Sequence, residues 1–475
     1  MKKVEELRQF ITSVVSSKDV RSRVIFTLLV LLLYRLGSHV RVPGIDQDKL
    51  KSIWETLQGS LVGVLDLFSG GNLKVISVFA LGITPYITAS IVIQLLTVAI
   101  AQLKRLQEEG EAGRRQINQY TRYLTILLSI FQSTAISFWM LSQPGLVSIS
   151  SRMFLLVSVI ALTTGTAIVM WMGEQISERG IGNGISLLIF AGIVVRLPSI
   201  IVQFTERLGS DPISALESLL VAMLLLLIVA LIVFVEKAYR PIPIEHTRRR
   251  EIGVSSKSYL PLRINMSGVV PVIFASSLLA FPITVTQFVS INSSGIYEWL
   301  TKILRSGHPI YELVFIMCIV FFSFFYVSVI FDVQDVSNNL RKFGSYVPGV
   351  RPGKSTAEYL DSIVMKLTFV GAIYLSFICF VPQFIASGLD VGEIPFIGEW
   401  LYANITSNSA LSWIVKGFGY TFYFGGTSLL IAVGVSIDTA QQLEARLITK
   451  KYELLGSTGR RFRGQRFLQE SGYVK

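Results

Sequence analysis

The sequence predicts an all-α polytopic membrane protein with ten transmembrane helices, and three observations carry that prediction. The 475 residues are 51% hydrophobic and only 16% charged, with a mean hydropathy of +0.58, a composition typical of chains that sit in lipid. Windows of about 19 residues, the length that crosses a bilayer core as helix, isolate ten apolar stretches. They fall near 23–38, 76–101, 122–141, 153–173, 183–203, 214–235, 267–289, 311–331, 366–386 and 419–437. Finally, the basic residues alternate with these stretches. Of 43 Lys and Arg, 32 lie in 1–23, 104–122, 174–182, 236–265, 332–366 and 438–475, against 10 elsewhere apart from Arg35. The positive-inside rule then places both termini in the cytoplasm, and the net charge of +12 is explained without DNA.

Segment 1–22 is polar and lacks the short apolar core and small-residue cleavage site of a removable signal, so the first span is expected to stay. Arg35 is read as the one clearly charged residue inside a span. It lies near the outer end of the first, where its stem lets the guanidinium snorkel to the interface. Glu217 and Glu312, at span ends, read as interfacial. No ionisable residue stands where an ion-coupled transporter would hold its coupling proton or cation, which weighs against a secondary transporter for a small solute.

Before the second span lies a half-length apolar piece, 61–68, closed by Ser69, Gly70, Gly71 and Asn72. As a helix it is about 15 Å long at ~1.5 Å per residue, half a bilayer core. Two readings stay open: a segment lining a cavity or path, or a re-entrant piece that only packs against its neighbours. The apolar run 75–101 is then expected to cross, with Pro85 interrupting it. Pro271 and Pro282 flank 273–280 in the seventh span, and Gly425 and Gly426 sit early in the tenth. Interruptions five spans apart hint at two related halves.

Three loops on the basic side are long: 237–263 with Arg248, Arg249 and Arg250, 332–366 with Arg351 and Lys354, and the tail 441–475. Setting topology and attracting anionic phospholipid headgroups is one role for them. Docking a large acidic or RNA-rich partner is the other, favoured because topology alone needs fewer residues and shorter loops. Gly349, Gly353, Lys354 and Ser355 stand one residue short of a P-loop, with Pro352 removing a phosphate-binding N–H and no strand expected before them. Gly180, Gly182 and Gly184 read as a tight turn with close helix packing. The three His are scattered, and Cys318 and Cys379 lie in apolar runs without metal or disulfide spacing. No catalytic site, metal or cofactor is expected.

Several motifs carry a resemblance to a known family: Phe68-Ser69-Gly70-Gly71, the run from Ala80 to Ile87 (Ala-Leu-Gly-Ile-Thr-Pro-Tyr-Ile), and Gly110 to Arg115 (Gly-Glu-Ala-Gly-Arg-Arg). To these are added Gly173-Glu174-Gln175-Ile176, Glu178 to Ser186, Val347 to Gly353 and Phe424 to Ile431. In this order the chain resembles bacterial SecY. The resemblance implies two inverted-repeat halves around a central hourglass pore that opens across the membrane and sideways to lipid. It implies a plug at about 61–71, including Leu65, Leu67, Phe68, Gly70 and Gly71. An apolar pore ring is implied at Ile83, Ile87, Ile185, Ile189, Ile273 and Ile431, and a lateral gate around Gln94, Phe131, Ser276, Ser277 and Phe325. Arg248, Arg249, Arg250, Arg351 and Lys354 would dock partners. The implied partners are SecE, SecG, the SecA ATPase, the ribosome, and unfolded preproteins with their signal sequences; the implied location is the bacterial cytoplasmic (inner) membrane.

The chain then divides into a cytoplasmic segment 1–22, an N-terminal half 23–203, a connection 204–213, a C-terminal half 214–440 and a basic tail 441–475. The connection 386–419, with Trp400 and Trp413, is longer than the resemblance leads one to expect. Apart from the transporter, a membrane scaffold without a pore is the other rival.

Overall fold

The computed structural model describes residues 16–57, 66, 69–208, 212–246, 258–289, 308–388, 402 and 426–470. Each predicted apolar stretch meets a helix over at least part of its length. In the first half these are α1 (Lys18–Gly37), α3 (Thr84–Ala99), α5 (Glu111–Ser142), α6 (Ser151–Arg179) and α7 (Gly184–Val194). In the second they are α9 (Pro212–Glu236), α10 (Val270–Val289), α11 (Pro309–Ile330), α13 (Lys354–Ser387) and α14 (Gly426–Glu470). Shorter helices stand between them: α2 (Gln47–Leu57), α4 (Ala101–Glu108), α8 (Leu197–Leu208) and α12 (Val333–Lys342). Among the described residues, five helices are long and apolar enough to cross a membrane alone, and six if α3 and α4 count together. The apolar parts of the fifth and seventh spans are short.

Neighbour relations repeat at an interval of five spans. α3 packs on α5, α5 on α6, α6 on α7, and α1 on both α6 and α7. In the second half α10 packs on α11, α11 on α13, α13 on α14, and α9 on both α13 and α14. Two related halves therefore follow from the contacts themselves. They meet where α10 lies against α3 and α5, and where α14 lies against α7 and α1.

The second span differs from its prediction. Residues 75–83 are apolar but not helical, and Pro85 opens α3 rather than interrupting it. The backbone explains this: Ile76 and Gly82 have φ of 44° and 56°, outside the helical region. Instead of continuing a helix, the segment bridges to the first loop, with Val42 N–H donating to Ile76 O (3.0 Å) and Val78 N–H to Val40 O (2.8 Å). Proline suits the first turn of a helix because its missing N–H has no partner there anyway. At its other end α3 turns by 100° into α4. The fifth span is also broken, at Val195 and Arg196, so 183–203 is a short helix followed by the amphipathic α8.

The long loops hold structure that hydropathy does not reveal. Strands β1 (Tyr239–His246) and β2 (Ser258–Arg263) form an antiparallel hairpin, in register from Tyr239↔Arg263 to Ile244↔Ser258. β3 (Ser345–Tyr346) adds to β1 through Glu245↔Tyr346 and His246↔Ser345, so one small sheet ties two of the basic loops together. It packs Ile242, Leu262 and Val347 on Leu360, Ile363 and Val364 of α13. Segment 332–366 is thus not an open loop: it holds α12, β3 and the first turns of α13. A strand does precede the P-loop-like glycines, but it is two residues long. The tail, predicted as a basic extension, continues α14 as helix to Glu470.

The start of α1, the end of α6, the sheet and the middle of α14 share one end of the bundle, called here the sheet end. Arg23 Nη1 donates to Arg179 O (3.5 Å) and Gly182 N–H to Gln442 Oε1 (3.1 Å). Arg263 Nη1 and Nη2 donate to Asp438 Oδ1 (3.0 Å) and Gln441 Oε1 (2.6 Å). Burial acts to lower the Arg263 pKa, but the hydrogen bond and charge of Asp438 outweigh it and hold the group above the ordinary arginine value.

Candidate functional site

The six isoleucines come from four elements and meet in one apolar core at the seam between the halves. Ile83 caps α3 and Ile87 lies one turn on, and they share a helix face, as do Ile185 and Ile189 on α7. Ile273 is in the first turn of α10, and Ile431 in the second turn of α14. Five are buried, with Ile431 fully so, and Ile185 packs on them partly buried. The four elements form two equivalent pairs under the repeat, α3 with α10 and α7 with α14, which is why residues so far apart in sequence converge. Isoleucine offers water no hydrogen bond, so such a cluster resists wetting.

The gate candidates divide. Helix α10 packs on α3 and α5, and Ser276 and Ser277 are buried on it. The polar contacts are local, however: Gln94 Nε2 donates to Ser90 Oγ in its own helix (3.2 Å), and Ser276 Oγ to Ile273 O (2.9 Å). Phe131 is exposed on α5, and Phe325 stacks on Phe321 of its own helix at 6.2 Å. These hydrogen bonds are satisfied within helices and do not cross the seam. Glu312, read as interfacial, is buried in the first turn of α11, where the positive end of the helix dipole favours a carboxylate.

Arg351 and Lys354 are exposed at the sheet end, beside β3 and at the start of α13. Arg248, Arg249 and Arg250 lie outside the described residues. So do Leu65, Leu67 and Phe68 of the plug segment, and all of 389–425 except Tyr402, including Trp400 and Trp413.

Of the segment expected to act as a plug, Asp66 and 69–71 are described, and they are held at the end opposite the sheet. Asp66 is buried and forms an ion pair with Arg196. Its Oδ1 accepts the backbone N–H groups of Leu73 and Lys74 (both 3.0 Å), and its O accepts Arg196 Nη2 at 2.8 Å. Tyr34 Oη donates to Ser69 O (3.4 Å) and accepts Asn72 Nδ2 (3.2 Å). Gly70 meets Gly192 of α7 backbone to backbone: a Cβ on Gly70, whose φ is +73°, would come within 2.7 Å of Gly192 Cα. Glycine is required there for both space and conformation.

Sequence reasoning missed this pair. Arg196 is a second charged residue within the predicted fifth span, which the reading of Arg35 as the only one passed over. Asp66 is the one acid in an otherwise apolar half-length piece. Both signals were present, but only the fold joins residues 130 positions apart. The two groups border a cavity of about 380 Å³ that is also lined by Arg35, His39, Arg41 and Lys74.

The SecY family model matches residues 77–440. The protein translocase subunit SecY of Vibrio cholerae is 42% identical over 443 residues, covering 92% of this chain and 93% of that one. The corresponding subunit of Escherichia coli K12 is 41% identical over 444 residues, again covering 92% and 93%, and that of Aquifex aeolicus 40% over 456, covering 94% and 99%. A solved protein-conducting channel superposes with a TM-score of 0.62 at 18% identity, over 90% of this chain and 92% of that one. Sec61 of the canine ribosome–channel complex from the endoplasmic reticulum gives 0.59 at 17% identity, over 90% and 92%. At such identities the structures speak for the fold.

Proposed function

Because the chain belongs to the SecY family, the channel-forming subunits of protein translocases, we propose that its seam of isoleucines is the seal of the pore through which polypeptide passes. The chain is a membrane channel for proteins and not an enzyme. Its finer working is our reading. The observation that carries it is the convergence of Ile83, Ile87, Ile185, Ile189, Ile273 and Ile431 from both repeat halves into one apolar core. A ring of this kind lies shut against water and parts around a chain of any sequence.

Unfolded secretory proteins cross through the ring, with segment 61–71 as a plug that moves aside. Apolar segments leave sideways where α10 lies against α3 and α5. SecE and SecG accompany the chain, in the bacterial inner membrane with its termini and the sheet end in the cytoplasm. There the sheet and Arg248, Arg249, Arg250, Arg351 and Lys354 receive the SecA ATPase or a translating ribosome, and the basic groups attract anionic phospholipid. The Sec61 channel of this fold comes from a ribosome complex, which supports the ribosome as a partner.

The test is reconstitution with SecE, SecG and SecA, followed by protease protection of a secretory precursor. Protected, full-length precursor that depends on ATP and on this chain is expected. An assembled complex that protects none would overturn the reading, and uptake of a small solute by the chain alone would favour a transporter.

A further inference from the structure

We propose that Arg196 and Asp66 form a charge latch that keeps the base of the plug against α7, so that the pair sets how tightly the resting channel closes. The inference rests on the plug reading above and adds to it the groups that hold the segment in place.

The contacts at the plug base converge on a few residues. Arg196 gives a single nitrogen, Nη2, to both the carboxylate and the backbone carbonyl of Asp66. Asp66 in turn fixes the turn that follows it, accepting the N–H groups of Leu73 and Lys74 and the hydroxyl of Ser69 (3.3 Å), while Gly71 N–H donates to Asp66 O (3.1 Å). Four residues before Arg196, in the last turn of α7, Gly192 lies against Gly70. The turn is a folded unit, held at two points, one steric on α7 and one ionic just beyond its end.

The surroundings make the ionic point decisive. Both side chains are withdrawn from water, at 13% exposed for Arg196 and 4% for Asp66. Arg35, Arg41 and Lys74 line the same cavity, and among the described residues Asp66 is its only carboxylate. Removing that carboxylate takes away the counter-charge that Arg196 meets away from water, in a cavity otherwise lined by cations, which draws in water and counter-ions there. Arg196 stands two residues past the end of the helix that carries Ile185 and Ile189, so the latch ties the plug base to the end of a helix that forms part of the seal.

The test is resting ion conductance in planar bilayers of the assembled complex, comparing the parent with a deletion of 62–71, Arg196→Gln, Asp66→Asn, the double variant and Arg196→Lys. Precursor translocation by each variant reports that it has folded and assembled. Arg196→Gln and Asp66→Asn are expected to raise leak at least about tenfold, toward the level of the deletion. The double variant should leak no more than the worse single one, because the two groups act as one unit. Arg196→Lys should stay within about twofold of the parent, since one nitrogen makes both contacts. If the deletion leaks while Arg196→Gln and Asp66→Asn seal like the parent, the latch is wrong and the plug stands. Leak in Arg196→Lys equal to that in Arg196→Gln would also overturn it. A deletion that seals like the parent removes the plug reading itself, and the latch with it.

Discussion

Replacing Ile87 and Ile189 together by serine raises the resting ion conductance of the reconstituted channel at least about tenfold, the factor that follows from losing only ~1.4 kcal/mol of barrier to wetting. The two side chains are 4% and 2% exposed, in contact with an apolar cluster contributed by both halves. A buried hydroxyl there needs a hydrogen-bond partner, and the cheapest one is water entering the seam. The loss is steric as well. Each exchange removes most of an isoleucine from a packed core, at about 2–5 kcal/mol if the site does not collapse. Ile87→Val paired with Ile189→Val keeps the apolar character, and its leak is expected to stay close to the parent's. Conductance through the serine pair equal to that of the parent, in complexes that still translocate precursor, would remove the ring assignment.

The contrast with valine also shows what the sequence could convey. Ten apolar stretches were legible because hydropathy is additive along the chain, and each meets a helix over at least part of its length. The same signal failed at 75–83. There an apolar segment is buried inside protein as irregular backbone, and composition does not distinguish that from a lipid-facing helix. The pairing of Ile83 with Ile87 and of Ile185 with Ile189 follows from helix periodicity. Their meeting with Ile273 and Ile431 does not, since it needs the repeat that superposes α3 on α10 and α7 on α14. The sheet was hidden by Pro241, Pro243 and Pro261, which weaken any strand signal; β3 pairs with β1 only at Glu245 and His246, so both prolines of β1 lie where that strand has a single partner. Asp66 and Arg196 were visible as oddities, each a charge in an apolar setting, and an unexplained charge of that sort is a reason to seek its partner.

At the sheet end, Arg351→Glu is expected to reduce SecA-driven translocation by roughly thirty-fold or more, the factor for losing an arginine anchor worth about 2 kcal/mol. The geometry makes this residue a fixed point rather than a loose charge. Val347 is buried in the small core under the sheet, Ser337 Oγ donates to Gly353 O (2.7 Å), and Thr356 Oγ1 donates to Arg351 O itself (2.8 Å). The backbone on either side is therefore held by protein while the guanidinium is exposed, an arrangement that presents a donor array to a partner at little entropic cost. Glutamate reverses the sign and adds repulsion against an acidic surface, whereas lysine keeps the charge but not the planar fork. The order of activity should be arginine above lysine, lysine above alanine, and alanine above glutamate. Because Arg351 stands apart from the isoleucine seam and from the Asp66–Arg196 pair, resting leak should not change in any of these variants. Equal losses of translocation in the lysine and glutamate variants, or a rise in leak, would mean that Arg351 supports the fold of this end rather than the motor's grip on it.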